Sequence, residues 1–230
     1  MKDLLSLLII FFLTSCSTAN IANIKNSETE IDPFEARDTL KPLNKKIFSL
    51  NLALDETIIG PVAHTYHHVP EWGRRHINNF LTNLDEPLNF VNGLLQARPD
   101  IAFASFWRFI LNTTIGFGGV NDFASKAGLK HYDEGFSKTL GSYGVDEGIY
   151  LVLPVIGPSS VRDTTGLVAD WFLDPLGWLM NTTETITQIT MDGITTRDNE
   201  DAVIEQFYYD SIEPYSATRA AYLQHSAFKH

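Results

Sequence analysis

Cys16 is the only cysteine of the chain and follows an apolar run, residues 4–13, in the order Leu13, Thr14, Ser15, Cys16. A small residue just before a lone cysteine, at the end of a run of signal-peptide length, is the arrangement that makes a thiol into a lipid thioether and frees the cysteine amine by cleavage. The run falls well short of the roughly 20 apolar residues a helix needs to span a bilayer. Residues 1–15 therefore read as a lipoprotein signal peptide. Cys16 is the expected lipidation site, 16–31 a small, polar, acylated tether, and 32–230 one folded domain. With the thiol committed to lipid, no disulfide or thiolate metal site is expected.

The other residues capable of chemistry fall short of a reaction. His64 and His68, four apart, could share a metal with His67, Glu56 or Glu71, but the chain has no HExxH pattern there and exposed helix-face histidines are the blander reading. Gly116, Phe117, Gly118, Gly119, Val120, Asn121 has asparagine where a dinucleotide fingerprint needs its last glycine, and it follows a helical segment, not a strand. Gly135 to Thr139 lacks the second glycine of a nucleophile elbow. The carboxylate pairs Asp133/Glu134 and Asp146/Glu147 lie in polar loop sequence, where solvated turn residues are the default. The reading is a non-enzyme without cofactor or metal. A hydrolase acting on lipid or cell wall is the alternative.

These residues must be positioned by helices. Prolines 42, 61, 70, 87, 99 and 214 punctuate segments of helical period, including Leu43, Ile47, Leu50, Leu54, Ile58 in a helix ending at Gly60 and Ile77, Phe80, Leu81, Leu84 before Pro87. Residues 101–111 are apolar nearly all round, broken only by Ser105 and Arg108. Such a helix is either a core element or one that reaches partway into a leaflet. Residues 149–156 read as an extended buried crossing, with Pro154 arguing against a central ladder. Ser159 or Ser160 caps a helix that Asp174 and Pro175 interrupt before Leu176, Trp178, Leu179 and Met180 resume it as a bent hairpin. The fold class is all-α, with little or no β. The formal net charge of −11 gives nucleic acid nothing to attract.

Ordered blocks spanning nearly the whole mature chain resemble the VacJ or MlaA family of outer-membrane lipoproteins, which maintain lipid asymmetry. They include Asp32, Pro33, Glu35; Asn44; Pro61; Asn79, Phe80, Asn83, Leu84, Glu86, Pro87, Asn92; Arg108, Phe109, Asn112, Gly116, Gly118, Gly119; Tyr150, Leu153, Pro154, Gly157, Pro158, Arg162, Asp163; and Pro214, Tyr215, Arg219, Tyr222. Departures include Lys45 for the usual arginine and Gly60 where arginine usually precedes the proline. The resemblance implies a single ring-shaped helical domain in the inner leaflet of the outer membrane, with a central amphipathic channel. Mislocalised phospholipids would pass through it to a soluble periplasmic carrier, beside a trimeric porin; a purely structural, porin-associated lipoprotein is the other possibility. Channel or head-group contact is expected from Gly116, Phe117, Gly118, Gly119, Asp170 and Asp174, the last two alternatively being a solvated face and a helix end. Membrane burial is expected for Ile101, Phe103, Phe106, Trp107, Ile110, Trp171, Phe172, Leu176, Trp178 and Leu179. Arg162 and Asp163 read as an internal ion pair.

Overall fold

A computed structural model describes residues 37–227. Cys16, the signal peptide and the tether lie outside the described residues, as do Asp32, Pro33 and Glu35. Helix α1 (Lys41–Leu54) starts on Pro42, whose missing N–H costs nothing in a first turn. It runs through a π-helical turn, Asp55–Ile59, into α2 (Gly60–His67) without a break at Gly60. The wide turn accommodates Pro61, and the Gly60 amide donates to the Asp55 carbonyl five residues back.

Helix α3 (Glu71–Leu95) continues through Pro87, where the sequence had suggested a new start. An interior proline costs about 3 kcal/mol, and packing along α4 (Pro99–Thr114) offsets it. Gly93 makes the close approach possible, because a Cβ there would lie 2.8 Å from the Ala102 amide nitrogen. Two short helices follow, α5 (Phe123–Lys126) and α6 (Phe136–Ser142).

The stretch expected to be an extended crossing is a hairpin. Strand β1 (Tyr150–Leu153) pairs antiparallel with β2 (Gly157–Ser160), Tyr150 opposite Ser160 and Leu153 opposite Gly157. Pro154 sits in the turn, where no ladder donor is required. Asn44 and Asn51 of α1 act as a substitute third strand. Asn44 donates to Tyr150 O (3.1 Å) and accepts from Val152 N (3.0 Å), while Asn51 donates to Leu153 O (2.8 Å) and accepts from Val155 N (2.8 Å). The match is metric: two helical turns rise about 10.5 Å, close to the roughly 10 Å of three strand residues.

Ser160 caps α7 (Val161–Leu173) by accepting from the Asp163 amide, as expected. Residues 174–180 then form turns instead of resuming the helix, since the Asp174 carboxylate takes the Leu176 and Gly177 amides at 3.0 Å each. The chain returns through α8 (Thr182–Asn199), which opens on a capping box of Asn181 and Glu184. Helix α9 (Asp201–Ile204), a second π turn (Glu205–Tyr209) and α10 (Pro214–Ala227) complete it. Phe48, Tyr150, Val152, Tyr215 and Leu223 form the apolar core.

Candidate functional site

The distribution of polarity is inverted relative to a protein made for water. Among the described residues, buried polar and charged side chains outnumber buried apolar ones, and large apolar side chains crowd the surface. In α1 the buried stripe is Asn44, Phe48, Asn51 and, one turn on, Asp55, whereas Leu43, Leu50 and Ile58 point outward. Helix α4 buries Ile101, Ser105, Arg108 and Asn112 and exposes Phe103, Phe106 and Trp107. It is thus neither a core helix nor apolar all round. An exposed apolar surface of this extent needs an apolar partner.

The interior charges are paired. Arg108 donates to Glu86, to Asp122 (3.1 Å), to Ser125 Oγ (3.0 Å) and to Leu129 O (2.8 Å), and His131 also reaches Glu86 (3.0 Å). Burial opposes ionisation of Asp122, but the Ser125 hydroxyl and amide and the Arg108 guanidinium outweigh it and bring the carboxyl down to about 2. Asp55 accepts from Arg197 (2.8 and 3.1 Å) and Tyr209 (2.8 Å). Asp38 accepts from Tyr215 (2.7 Å) and Arg219 (2.8 Å). Arg162 pairs with Glu147 (3.1 Å), not with Asp163, whose amide donates to the Ser160 cap and whose carboxylate receives Ser137 and Tyr222 (2.5 Å). Glu147 is accordingly a buried ion-pair residue and not a solvated turn residue.

Against the flank of α3 lies a cavity of about 750 Å³, lined by His76, Ile77, Phe80, Leu81 and Leu84 of α3, Val120, Leu176 and Met180 of the turns, and Thr183, Glu184, Thr187, Gln188 and Met191 of α8. The volume lies within the roughly 300–1,000 Å³ of ordinary ligand pockets. Its α3 wall is the stripe Ile77, Phe80, Leu81, Leu84 that the sequence places on one helix side. The α8 wall is hidden in a threonine-rich segment whose period is too weak to read.

The residues expected at a channel take other places. Gly116 and Gly119 allow close packing: a Cβ would lie 2.3 Å from Asn112 O in the first case and 2.6 Å from the Asn83 side chain in the second. Phe117, between them, is 80% exposed, and Val120, the next residue after Gly119, reaches the cavity wall. Asp170 accepts from the Phe136 amide (2.9 Å) and Asn92 (3.1 Å), and so fixes the start of α6 instead of facing the cavity. Burial pushes its carboxyl up. Asp174 shapes the turn that aims Leu176 inward, so Leu176 lines the cavity and not the outer surface. Ile101 is fully buried against Gly93 of α3, because the same close approach that lets the helices meet leaves it no outward face. Phe103, Phe106, Trp107, Trp171, Phe172, Trp178 and Leu179 are exposed, and Ile110 is half-buried.

His64 and His68 do not join in one ligand cluster; it is His64 with Asp201 and Glu205 whose ligand atoms gather within 4.8 Å of one another. His68 Nδ1 lies 2.8 Å from the His64 carbonyl oxygen, and His64 stands beside Asp201 and Glu205, whose carboxylates Arg197 already bridges (2.5 and 3.3 Å).

Residues 36–229 match the family model described as MlaA lipoprotein. The chain is 37% identical over 199 residues, covering 83% of itself and 77% of the relative, to the intermembrane phospholipid transport system lipoprotein MlaA of Escherichia coli (strain K12). It is 32% identical over 234 residues to the protein of that name from Haemophilus influenzae, covering 98% of itself and 89% of the relative. A solved chain described as the structural basis for maintenance of bacterial outer membrane lipid asymmetry superposes with a TM-score of 0.72 at 35% identity, over 83% of this chain and 98% of that one.

Proposed function

Because this chain belongs to the MlaA lipoprotein family, we propose that it takes mislocalised phospholipids out of the outer leaflet of the outer membrane and passes them through an amphipathic channel to a soluble periplasmic carrier. Cys16 carries the acyl chains that deliver the body to the membrane, and a trimeric porin sits beside it. The observation that carries this reading is the inversion of polarity: exposed aromatics outside, hydrogen-bonded charges inside, and an apolar cavity along α3.

The physics favours a passage over a reaction. Each methylene moved from water into an apolar wall gains roughly 0.8 kcal/mol. Acyl chains that slide from bilayer into the cavity exchange one apolar surroundings for another, so the step is nearly neutral and reversible. No helix among the described residues is long and apolar enough to cross a membrane. Short helices with one greasy face suit residence in a single leaflet, with Phe103, Phe106, Trp107, Trp171, Phe172, Trp178 and Leu179 as the proposed lipid-facing set. Val120, the residue after Gly119, borders the passage.

The test is outer-leaflet phospholipid in a deletion strain, restored by the wild-type chain. Deletion should raise surface phospholipid and sensitise cells to detergent with chelator, and Leu84→Trp, which fills the cavity, should fail to complement although the lipoprotein accumulates. Unchanged surface phospholipid in the deletion strain would refute the transport reading and leave a porin brace.

A further inference from the structure

The cleft between α3 and α8 runs on past the apolar cavity. A second cavity, of about 230 Å³, is lined by Arg74, Arg75 and Asn78 of α3 and by Thr195, Asp198 and Asn199 of α8. On α8, Glu184, Gln188 and Met191 of the first cavity and Thr195 and Asp198 of the second are spaced four, three, four and three apart, which is one face of a helix. On α3, Arg74 and Asn78 lead in the same way to Leu81. The two cavities are successive parts of one cleft, and the step from Met191 to Thr195 is about 6 Å along the helix axis.

The chemistry changes along the cleft. Ile77, Phe80, Leu81 and Leu84 line the first part, whereas guanidinium, amide and hydroxyl groups line the second. Two buried donors there have no hydrogen-bond partner among the described residues: the hydroxyl of Tyr66, which lines the cavity from α2, and Nε of Arg74. A buried donor left unmet is costly. The carboxylates close by are already answered. Asp198 accepts from Arg74 Nη1 (2.5 Å) and lies 2.7 Å from His67 Nδ1. Glu71 holds Arg75 (2.6 Å) in a contact so exposed that another acceptor can replace it at little cost. Unmet donors beside two guanidiniums ask for an anion with several acceptor oxygens, and a phosphate is such a group.

We infer that the polar end of this cleft seats the phosphate of a phospholipid, held by Arg74, Arg75 and the Tyr66 hydroxyl, while the acyl chains lie along Leu81, Leu84 and Met191. This rests on the lipid-passage reading above. The continuity of the cleft is what selects a lipid over a free phosphate: the step from the polar to the apolar stretch is short enough for a glycerol unit to bridge. Both guanidiniums are already shared with Asp198 and Glu71, so a phosphate competes with carboxylates for them. The head group is therefore held reversibly, as passage requires.

The experiment uses the full acylated protein in vesicles of phosphatidylethanolamine and phosphatidylglycerol, doped with one of two photoactive phosphatidylethanolamines. One carries a diazirine on the head group and the other carries it in an acyl chain, and labelled peptides are mapped by mass spectrometry. The head label is expected within residues 71–78 and 195–199, and the tail label within residues 80–84 and 183–191. In Arg75→Gln, at an exposed position the fold does not depend on, head labelling should drop by about fivefold, the size of a partly hydrated charge-assisted contact, with tail labelling retained. Tail label in the apolar cavity with head label elsewhere in the wild-type protein overturns the inference and leaves the passage intact, as does head labelling unchanged in the variant. Absence of tail label from the cavity sinks the passage itself and the head-group seat with it. Glycerophosphorylethanolamine carries the same phosphate without tails and should leave the head label in place; if it displaces that label, the pocket is a site for soluble phosphodiesters and the lipid assignment fails.

Discussion

Asp85 and Glu86 are consecutive residues of one helix and share a functional group, yet they occupy opposite situations. Glu86 is fully buried and held by Arg108 and His131; Asp85 is open to solvent and holds nothing. A rotation of about 100° per residue puts Glu86 against α4 and turns Asp85 away from it. The comparison separates two uses of a carboxylate. Where the protein supplies a partner, the charge is part of the scaffold. Where it supplies none, the charge adds nothing to the scaffold and stands at a cost in stability.

The largest break in this comparison comes on the scaffold side. Arg108→Ala leaves Glu86 and Asp122 buried without their cation, and removal of one partner of a buried pair costs about 3–5 kcal/mol. The expected outcome is loss of cooperative unfolding, or a drop of that size in denaturant titration. Asp122 also sets an acid limit. Its carboxyl is held at about 2, below the ordinary carboxylate value, so its contribution is full above roughly pH 4 and is lost as pH falls toward 2. Asp122→Asn should flatten that part of the stability–pH curve.

Smaller effects probe how the cavity wall and the hairpin are held. Gly119→Ala combines φ +98° with a Cβ 2.6 Å from Asn83, which should destabilise by about 1–3 kcal/mol and displace Val120. Asn51→Ala frees Leu153 O and Val155 N, the latter in a residue held at φ +68°, and should cost about 1–3 kcal/mol by thermal unfolding.

The smallest effect has the opposite sign. Asp85 is pushed up to about 7, so the folded protein holds its proton more tightly than the unfolded chain does. The penalty for ionising it is fully present above pH 7 and is relieved as pH falls toward the ordinary value near 4. Asp85→Asn should therefore raise the melting temperature at pH 8, by the equivalent of no more than about 1 kcal/mol because the group is partly hydrated, and change little at pH 4.5.

Much of the scaffold is legible in the chain. Pro42, Pro99 and Pro214 start helices, Ser160 caps one, and the stripe Ile77, Phe80, Leu81, Leu84 announces a wall of the cavity. Pro87 misleads because local chemistry alone would break a helix there, and only contact with α4 along the length of α3 overrides it. Pro154 correctly excludes a ladder position, but hides a hairpin whose second strand, Gly157–Ser160, has no strand-like residues. That strand exists because Asn44 and Asn51 secure the first one from the side.

By itself the sequence determined the helical character of the chain and the family, since these rest on local spacing and ordered motifs. Only the tertiary structure decided which side of each helix faces inward. Helical period reveals that a helix has two faces but not which one meets water, protein or lipid, so Leu43 and Leu50 read as core until Asn44 and Asn51 are seen to hold the interior. The same holds for charge. Arg108 and Glu86 are 22 residues apart, and Asp85 and Asp192 lie on different helices. Whether a carboxylate finds a partner or goes without one is settled by distance in space, which no spacing along the chain encodes.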